Sequence, residues 1–222
     1  MNDIEQQSEP HSDQHERRNE QHEQQSEPTA LERALAGYRP LITPPRLAGA
    51  QVVYAVEDTA VGRILLAARA DGTLLASSFA ADDDRVAALL DRLARWVSPS
   101  VLRGGQVLDR PRRELTEYLA GRRRRFEVPV DLALATPFQR LVLGGLTDNV
   151  GYGHTTSYGR LATALGRPSA SRAVGAALAA NPLCVVLPCH RVLASTGALT
   201  GYAGGVAAKR LLLDLEAAGA AG

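Results

Sequence analysis

The stretch Ser157–Val192, SYGRLATALGRPSASRAVGAALAANPLCVVLPCHRV, decides how this chain reads. Ser157 is placed to cap a helix over SYGRLATALG, and Gly166 offers the left-handed residue that ends it. Pro168 and Ser169 then start a second helix over SASRAVGAALAAN. Two short helices joined by a tight turn containing glycine outline a helix-turn-helix, a pattern that suggests DNA without proving it. Beyond Asn181-Pro182, the apolar run LCVVL has the composition of a buried strand, and Pro188 stops it. Cys189 is therefore expected at a strand end on a stiff turn, with His190 beside it. A free thiol has a pKa of about 8.5, so a neighbouring base or positive charge is needed to make it a nucleophile at neutral pH. Adjacent residues on an extended chain point to opposite faces. The spacing thus leaves open whether His190 meets the sulfur directly or through a water.

Outward from this stretch, Thr136 can cap a helix with Pro137 at its first position and Gln139 at its third, running towards Leu146. Gly144 and Gly145 weaken that helix by about 1 kcal/mol each relative to alanine. The last helix, GVAAKRLLLDLEAA, places Glu216 three and four residues after Leu213 and Leu212, towards its apolar side. From pattern alone Glu216 is a partly exposed carboxylate or one with work to do. On the other side, QVVYAV, GRILLAAR and TLLASSFA read as strands, with turns at EDTAVG and Ala70-Asp71-Gly72. Asp82 to Trp96 has the spacing of an amphipathic helix, with Val86, Leu89, Leu90, Leu93 and Trp96 on one face. A second helix follows from Arg112 to Leu119, and FEVPVDL reads as a final strand; no residue in this part reads as catalytic. The run Arg122–Arg125 fits either phosphate contact or a solvated loop.

With 222 residues, 45% of them hydrophobic, the chain can bury a core in one or two domains. No run of about 18 apolar residues predicts a membrane span, and MNDIEQQSEP lacks the basic and apolar parts of a secretory signal. Two cysteines are too few for a disulfide framework and read as reduced thiols of a cytoplasmic protein, Cys184 being buried and inert. The net charge of +1 is asymmetric. Residues 1–28 hold eight acids against Arg17 and Arg18, net −6; the remaining 23 Lys/Arg and 16 Asp/Glu give the rest +7. A basic body suits a polyanionic partner. The fold class is α+β. Residues 1–47 form a disordered acidic, polar tail and a proline-rich linker, with His11, His15 and His22 solvated rather than holding a metal. Residues 48–132 form a small α/β domain, and 133–222 a mainly helical domain with the helix-turn-helix.

Pro188-Cys189-His190-Arg191-Val192 resembles the active-site signature of the O6-alkylguanine-DNA alkyltransferases, or methylated-DNA–protein-cysteine methyltransferases. Further likenesses lie in order at Thr136-Pro137-Phe138-Gln139, Ser157-Tyr158, Arg172-Ala173-Val174-Gly175, Asn181-Pro182 and Gly201-Tyr202-Ala203-Gly204-Gly205. They cover residues 136–218, and the first domain resembles the family's ribonuclease-H-like α/β module. The resemblance implies direct-reversal DNA repair: one alkyl group moves irreversibly from O6-alkylguanine, with O4-alkylthymine a further candidate, to Cys189, after the base is flipped out of double-stranded DNA. It implies that His190 relays the thiol proton through water, that Glu216 pairs with His190, and that Asn181 ties the turn. Tyr158 would help rotate the nucleotide and donate to the base, and Arg172 would fill the gap it leaves. Val192, Tyr202 and Ala203 complete the substrate and DNA contacts.

No metal or organic cofactor is implied, no membrane, and a monomer working in the cytoplasm at the nucleoid. Departures from the family's pattern stand at Leu143, Gly144, Gly145, Asp148–Gly151 and Ala203; Ala176, where glycine is usual, could alter helix packing. The alternative is a lesion-binding sensor of the kind that lacks the nucleophile, against which Cys189 argues directly. A plain helix-turn-helix regulator leaves the Pro-Cys-His-Arg arrangement unexplained, a regulator fused to a repair domain lacks its cysteine cluster here, and a cysteine hydrolase is a weaker option.

Overall fold

Alternating apolar residues build a sheet that is covered on both sides. The computed structural model describes residues 51–220; the acidic tail, its three histidines and the linker lie outside the described residues. Strand β1 (Val52–Thr59) turns at Gly62 into β2 (Gly62–Arg69), which pairs antiparallel with β3 (Leu74–Phe79). In β2, Ile64, Leu66 and Ala68 enter one core while Leu65 and Ala67 enter the other, so this central strand is apolar on both faces. Helix α1 (Asp83–Trp96) covers the second face with Leu89 and Leu93, and the Asp82 side chain caps it by accepting from the Arg85 N–H. Trp96 departs from the expected apolar face: as the last residue of the helix it is 70% exposed. A short β4 (Val101–Arg103), which the sequence pattern did not reveal, adds in parallel to β1 and makes the order β3-β2-β1-β4.

The expected strand over FEVPVDL is not one. Val130 alone bridges to Leu74, while the Glu127 and Val128 N–H groups donate to the buried carboxylate of Glu114 at 2.7 and 3.1 Å. A side chain has taken the donors a ladder would need, and Pro129 has none to give. Glu114 sits on α2 (Asp109–Leu119), which begins earlier than the expected Arg112. In the arginine run, Arg123 is largely spoken for, its Nε on Glu117 at 2.9 Å, whereas Arg125 reaches Glu127 only at 3.7 Å from an exposed position.

The helical half comprises α3 (Pro137–Asn149), β5 (Thr156–Ser157), α4 (Tyr158–Ala164), α5 (Ser171–Ala179), β6 (Val192–Leu193) and α6 (Gly205–Ala220). The capping box forms: Thr136 Oγ1 accepts from Gln139 N, and Gln139 Oε1 accepts from Thr136 N. Leu143 is fully buried. Gly145 has a packing reason, since a Cβ there would lie 2.2 Å from Leu165; Gly144 meets nothing within 4 Å. The core on the first sheet face is shared: Leu115 and Tyr118 of α2 pack in one cluster with Val142, Leu146, Leu161, Val174 and Leu212. Among the described residues, no helix is long and apolar enough to cross a membrane.

Candidate active site

The edge strand of the sheet holds the cysteine-bearing turn in place. Ser77 donates from its backbone to the Pro182 carbonyl at 2.8 Å and from its hydroxyl to the Cys184 carbonyl at 2.9 Å, and Ser78 Oγ donates to Pro182 O at 3.0 Å. These contacts occupy an edge that would otherwise stand open. LCVVL is therefore not the expected continuous strand but a tight turn in which Cys184 bridges Leu187 and the Leu187 N–H donates to Leu183 O at 2.8 Å. Val185 at its tip has φ 71°, an uncommon conformation for a β-branched residue. Asn181 closes the loop: its Nδ2 donates to Leu187 O at 2.9 Å, and its Oδ1 accepts from Leu183 N at 2.9 Å. Pro188 then leads into a single 3-10 turn, Cys189–Arg191, rather than leaving Cys189 at a strand end.

Cys189 is 7% exposed, and its sulfur accepts from Asn181 Nδ2 at 3.2 Å. The Cys184 thiol sits in the same small space, with its sulfur 3.5 Å from the Asn181 carbonyl. The Cys189 thiol is held below its ordinary pKa first by the Cys184 thiol, then by the Asn181 amide and the Lys209 ammonium, against the opposing effect of burial. The partner, Cys184, is pushed well up by its neighbour and by burial. Cys184 is buried as expected, and Asn181 contacts both thiols. Lys209 was not recognised in the sequence: it is fully buried and donates to the carbonyls of Val192 and Thr200 at 2.7 and 3.0 Å. A lysine at that depth is rare unless its ammonium is satisfied. Its place four residues after Gly205 on an apolar helix was the available signal.

His190 is fully buried, and its Nε2 lies 2.5 Å from Glu216 Oε1. Glu216 itself is 1% exposed, which decides its open reading in favour of a buried carboxylate. It also accepts from Arg191 Nε at 2.8 and 3.2 Å, from Gly153 N at 3.0 Å and from the Tyr118 hydroxyl. Burial alone would raise its pKa, yet these donors, His190 foremost, hold it down to about 2. Burial lowers the pKa of His190, with Glu216 opposing. Because Arg191 already supplies Glu216 with a permanent cation, His190 can remain neutral. Its Nδ1 has no hydrogen-bond partner and no direct bond to Cys189, so the ring keeps one nitrogen for a proton. Gly153, at φ 74°, admits no side chain: a Cβ would lie 2.5 Å from that of Ala220.

The remaining predicted residues lie on a second, more open surface. Strand β6 leaves the cysteine turn and pairs in parallel with β5, Thr156 opposite Val192 and Ser157 opposite Leu193. Ser157 then caps α4 by accepting from Arg160 N at 3.2 Å, so two ladder rungs connect the turn to the helix-turn-helix. Gly166, at φ 69°, ends α4 with Arg167 N donating to Ala162 O, as expected. The second helix starts at Ser171 without a side-chain cap, because Arg167–Ala170 forms a turn of its own; Pro168 and Ser169 lie in that turn. Tyr158, half-buried, and Arg172, exposed, line one cavity of about 480 Å³ with Ser171, Gly175, Ala194, Ser195 and Thr200. Cys189 is not among its walls. Val192 is buried, Ala203 is exposed, and the Tyr202 hydroxyl is buried without a partner. Ala176 is exposed, so its methyl group does not alter the packing of α5. Among the described residues, no three or more His, Cys, Asp or Glu side chains are placed to hold a metal ion.

The arrangement defines a class: a buried cysteine beside a buried histidine–carboxylate pair, next to a helix-turn-helix. Residues 52–132 match the family described as 6-O-methylguanine DNA methyltransferase, ribonuclease-like domain, and residues 137–218 its DNA binding domain. The methylated-DNA–protein-cysteine methyltransferase of Methanosarcina acetivorans is 36% identical over 163 residues, 73% of this chain and 97% of that protein. The inducible enzyme of that name from Bacillus subtilis is 50% identical over 103 residues, 46% of this chain and 56% of its own. The chain thus spans little more than half the length of that relative. A crystal structure of Mycobacterium tuberculosis O6-methylguanine methyltransferase superimposes with a TM-score of 0.63 at 33% identity, covering 75% of this chain and 93% of that one. Another, of the M. tuberculosis OGT in complex with DNA, gives 0.62 at 33% identity over 75% and 94%. The chain belongs to the methylated-DNA–protein-cysteine methyltransferase family.

Proposed function

We propose that this protein repairs alkylated DNA by direct reversal, taking a methyl or other alkyl group from O6 of guanine onto Cys189. The observation that carries the proposal is the buried cysteine whose sulfur accepts from the Asn181 amide at 3.2 Å, one residue from a buried histidine whose Nδ1 has no hydrogen-bond partner. The lesion lies inside a stacked pair, so the nucleotide must first leave the duplex, at a cost of a few kcal/mol that is lower for a badly paired base. Arg172 and Tyr158, on the cavity next to the two helices, take the duplex gap and the extruded base respectively. Val192, Tyr202 and Ala203 are assigned to the substrate's surroundings.

Loss of the Cys189 proton to His190 Nδ1, through a water, leaves the sulfur with its electron pair. The sulfur attacks the alkyl carbon; the S–C bond forms as the C–O6 bond breaks, and those electrons pass to the guanine ring. Tyr158 stabilises the departing anion by donating a hydrogen bond. Glu216 stabilises the imidazolium while it exists. The product thioether has no leaving group that water can displace, so each protein molecule acts once. Residues 48–132 serve as scaffold and 133–222 bind DNA and accept the alkyl group; one thiol per lesion needs only a monomer, acting on chromosomal DNA in the cytoplasm.

Intact-protein mass after incubation with a duplex carrying O6-methylguanine tests this. A gain of one methyl group, mapped to Cys189 and saturating at one per protein, is expected. Tight lesion binding without any gain would instead make the protein a sensor.

A further inference from the structure

We infer that Tyr118, on helix α2 of the sheet half, is a positioning residue for the proton relay: its hydroxyl holds the Glu216 carboxylate ionised and turned so that His190 keeps Nδ1 free for the thiol proton. This rests on the reading of Cys189 as the alkyl acceptor.

Tyr118 is 1% exposed, and its hydroxyl donates to Glu216 Oε1, the same oxygen that faces His190 Nε2. The ring is fixed from two sides, by Phe126 at 5.0 Å between centroids and by Tyr152 at 6.0 Å edge-on. A buried tyrosine needs some acceptor, and a backbone carbonyl would satisfy it. This one instead reaches 98 residues along the chain to the carboxylate of the candidate relay. Burial beside that carboxylate drives the Tyr118 phenol far above its usual range, so it remains a donor at every working pH.

The charged and titratable groups around the pair come from five segments. Helix α6 contributes Glu216 and Lys209, and the cysteine turn contributes Cys189, His190 and Arg191. The loop before β5 contributes Tyr152, with Arg124 near it, and Tyr202 lies 6.3 Å from the His190 ring. His190 and Glu216 share their proton as a pair, and a donor to Oε1 lowers the affinity of that pair for it. Without the phenol, the carboxylate becomes more basic and His190 retains a proton to higher pH, which removes the base.

The experiment follows two readouts against pH in the full chain: the single-turnover rate of methyl gain by mass, and the His190 imidazole titration by NMR. In Tyr118→Phe, which keeps the ring, both the acid limb of the rate and the His190 midpoint are expected to move up by about one pH unit, the size of one hydrogen bond to a charged group. Placing 3,5-difluorotyrosine at position 118 keeps the hydroxyl and strengthens it as a donor, so both should move down. This second protein decides the matter if the phenylalanine variant does not fold. A His190 midpoint unmoved in both overturns the inference, even if the rate falls evenly at all pH values. If the unaltered protein gains no methyl group, the proposed function fails, while the histidine titration still judges Tyr118.

Discussion

The cysteine turn, residues 181–193, continues directly from α5 and meets the start of α4 through two ladder rungs, yet the turn and the two helices are built on opposite terms. In the turn, Asn181, Cys189, His190 and Arg191 are all buried, and most of their polar atoms are held by named partners. On the helices, Tyr158 is half-buried, Arg172 is exposed, and both line an open cavity. On the proposed function, groups that must be poised before the reaction are locked by the fold, and groups that must meet a large, deformable partner are left to be ordered by it.

The division should show most sharply in Cys189→Ala. Transfer to the protein should vanish while affinity for lesion-containing duplex is kept, measured by mass and by fluorescence anisotropy; loss of both together would break the division. Next in size is Glu216→Gln, which leaves Arg191 buried without its counter-charge. Removal of one partner from such a pair costs about 3–5 kcal/mol, read from urea unfolding.

Acid should probe the same network. Below the ordinary His190 value of 6.5, the unfolded chain takes up a proton that the buried ring resists, so stability falls with pH from there. Glu216 contributes stability above its ordinary value of 4.5, and this is lost as pH drops towards about 2. Denaturant midpoints flat from pH 7 to pH 4 would contradict the burial of this pair as a functional unit.

Arg172→Ala sharpens the other side. Stability should change by no more than about 0.5 kcal/mol, as for an exposed residue, while single-turnover repair in duplex DNA slows by about tenfold or more, the worth of one charge-assisted contact. Reaction with the free alkylated base should be nearly unaffected. A last contrast lies within the two glycines of α3. Gly145→Ala should destabilise by about 1–3 kcal/mol through overpacking against Leu165, whereas Gly144→Ala should stabilise by up to about 1 kcal/mol. Equal responses would remove the packing reason for Gly145.

Local chemistry was legible along the chain wherever a residue acts within a few positions of itself. The capping box at Thr136–Gln139, the Asp82 and Ser157 caps and the Gly166 helix end all form as their sequence pattern requires. The family motif likewise marked Cys189, His190, Asn181 and Glu216, and the structure brings them together. Failures arose where long-range partners outbid local tendency. LCVVL bends because Asn181 and the edge of β3 claim its backbone groups, and FEVPVDL does not pair as a strand because Glu114 claims its donors. Trp96 has helical spacing but ends its helix facing solvent, where spacing says nothing.

Lys209, Cys184 and Tyr118 could not be found from motif spacing, since each matters through a partner distant in sequence or through depth of burial. By itself the sequence determined the first three strands, the main helices, the candidate cysteine and the family, because caps, periodicity and a contiguous signature are properties of neighbouring residues. Only the tertiary structure decided the electrostatics of the thiol and the shared core of sheet and helices. Both depend on which groups water has left, and that is settled when distant segments close over one another.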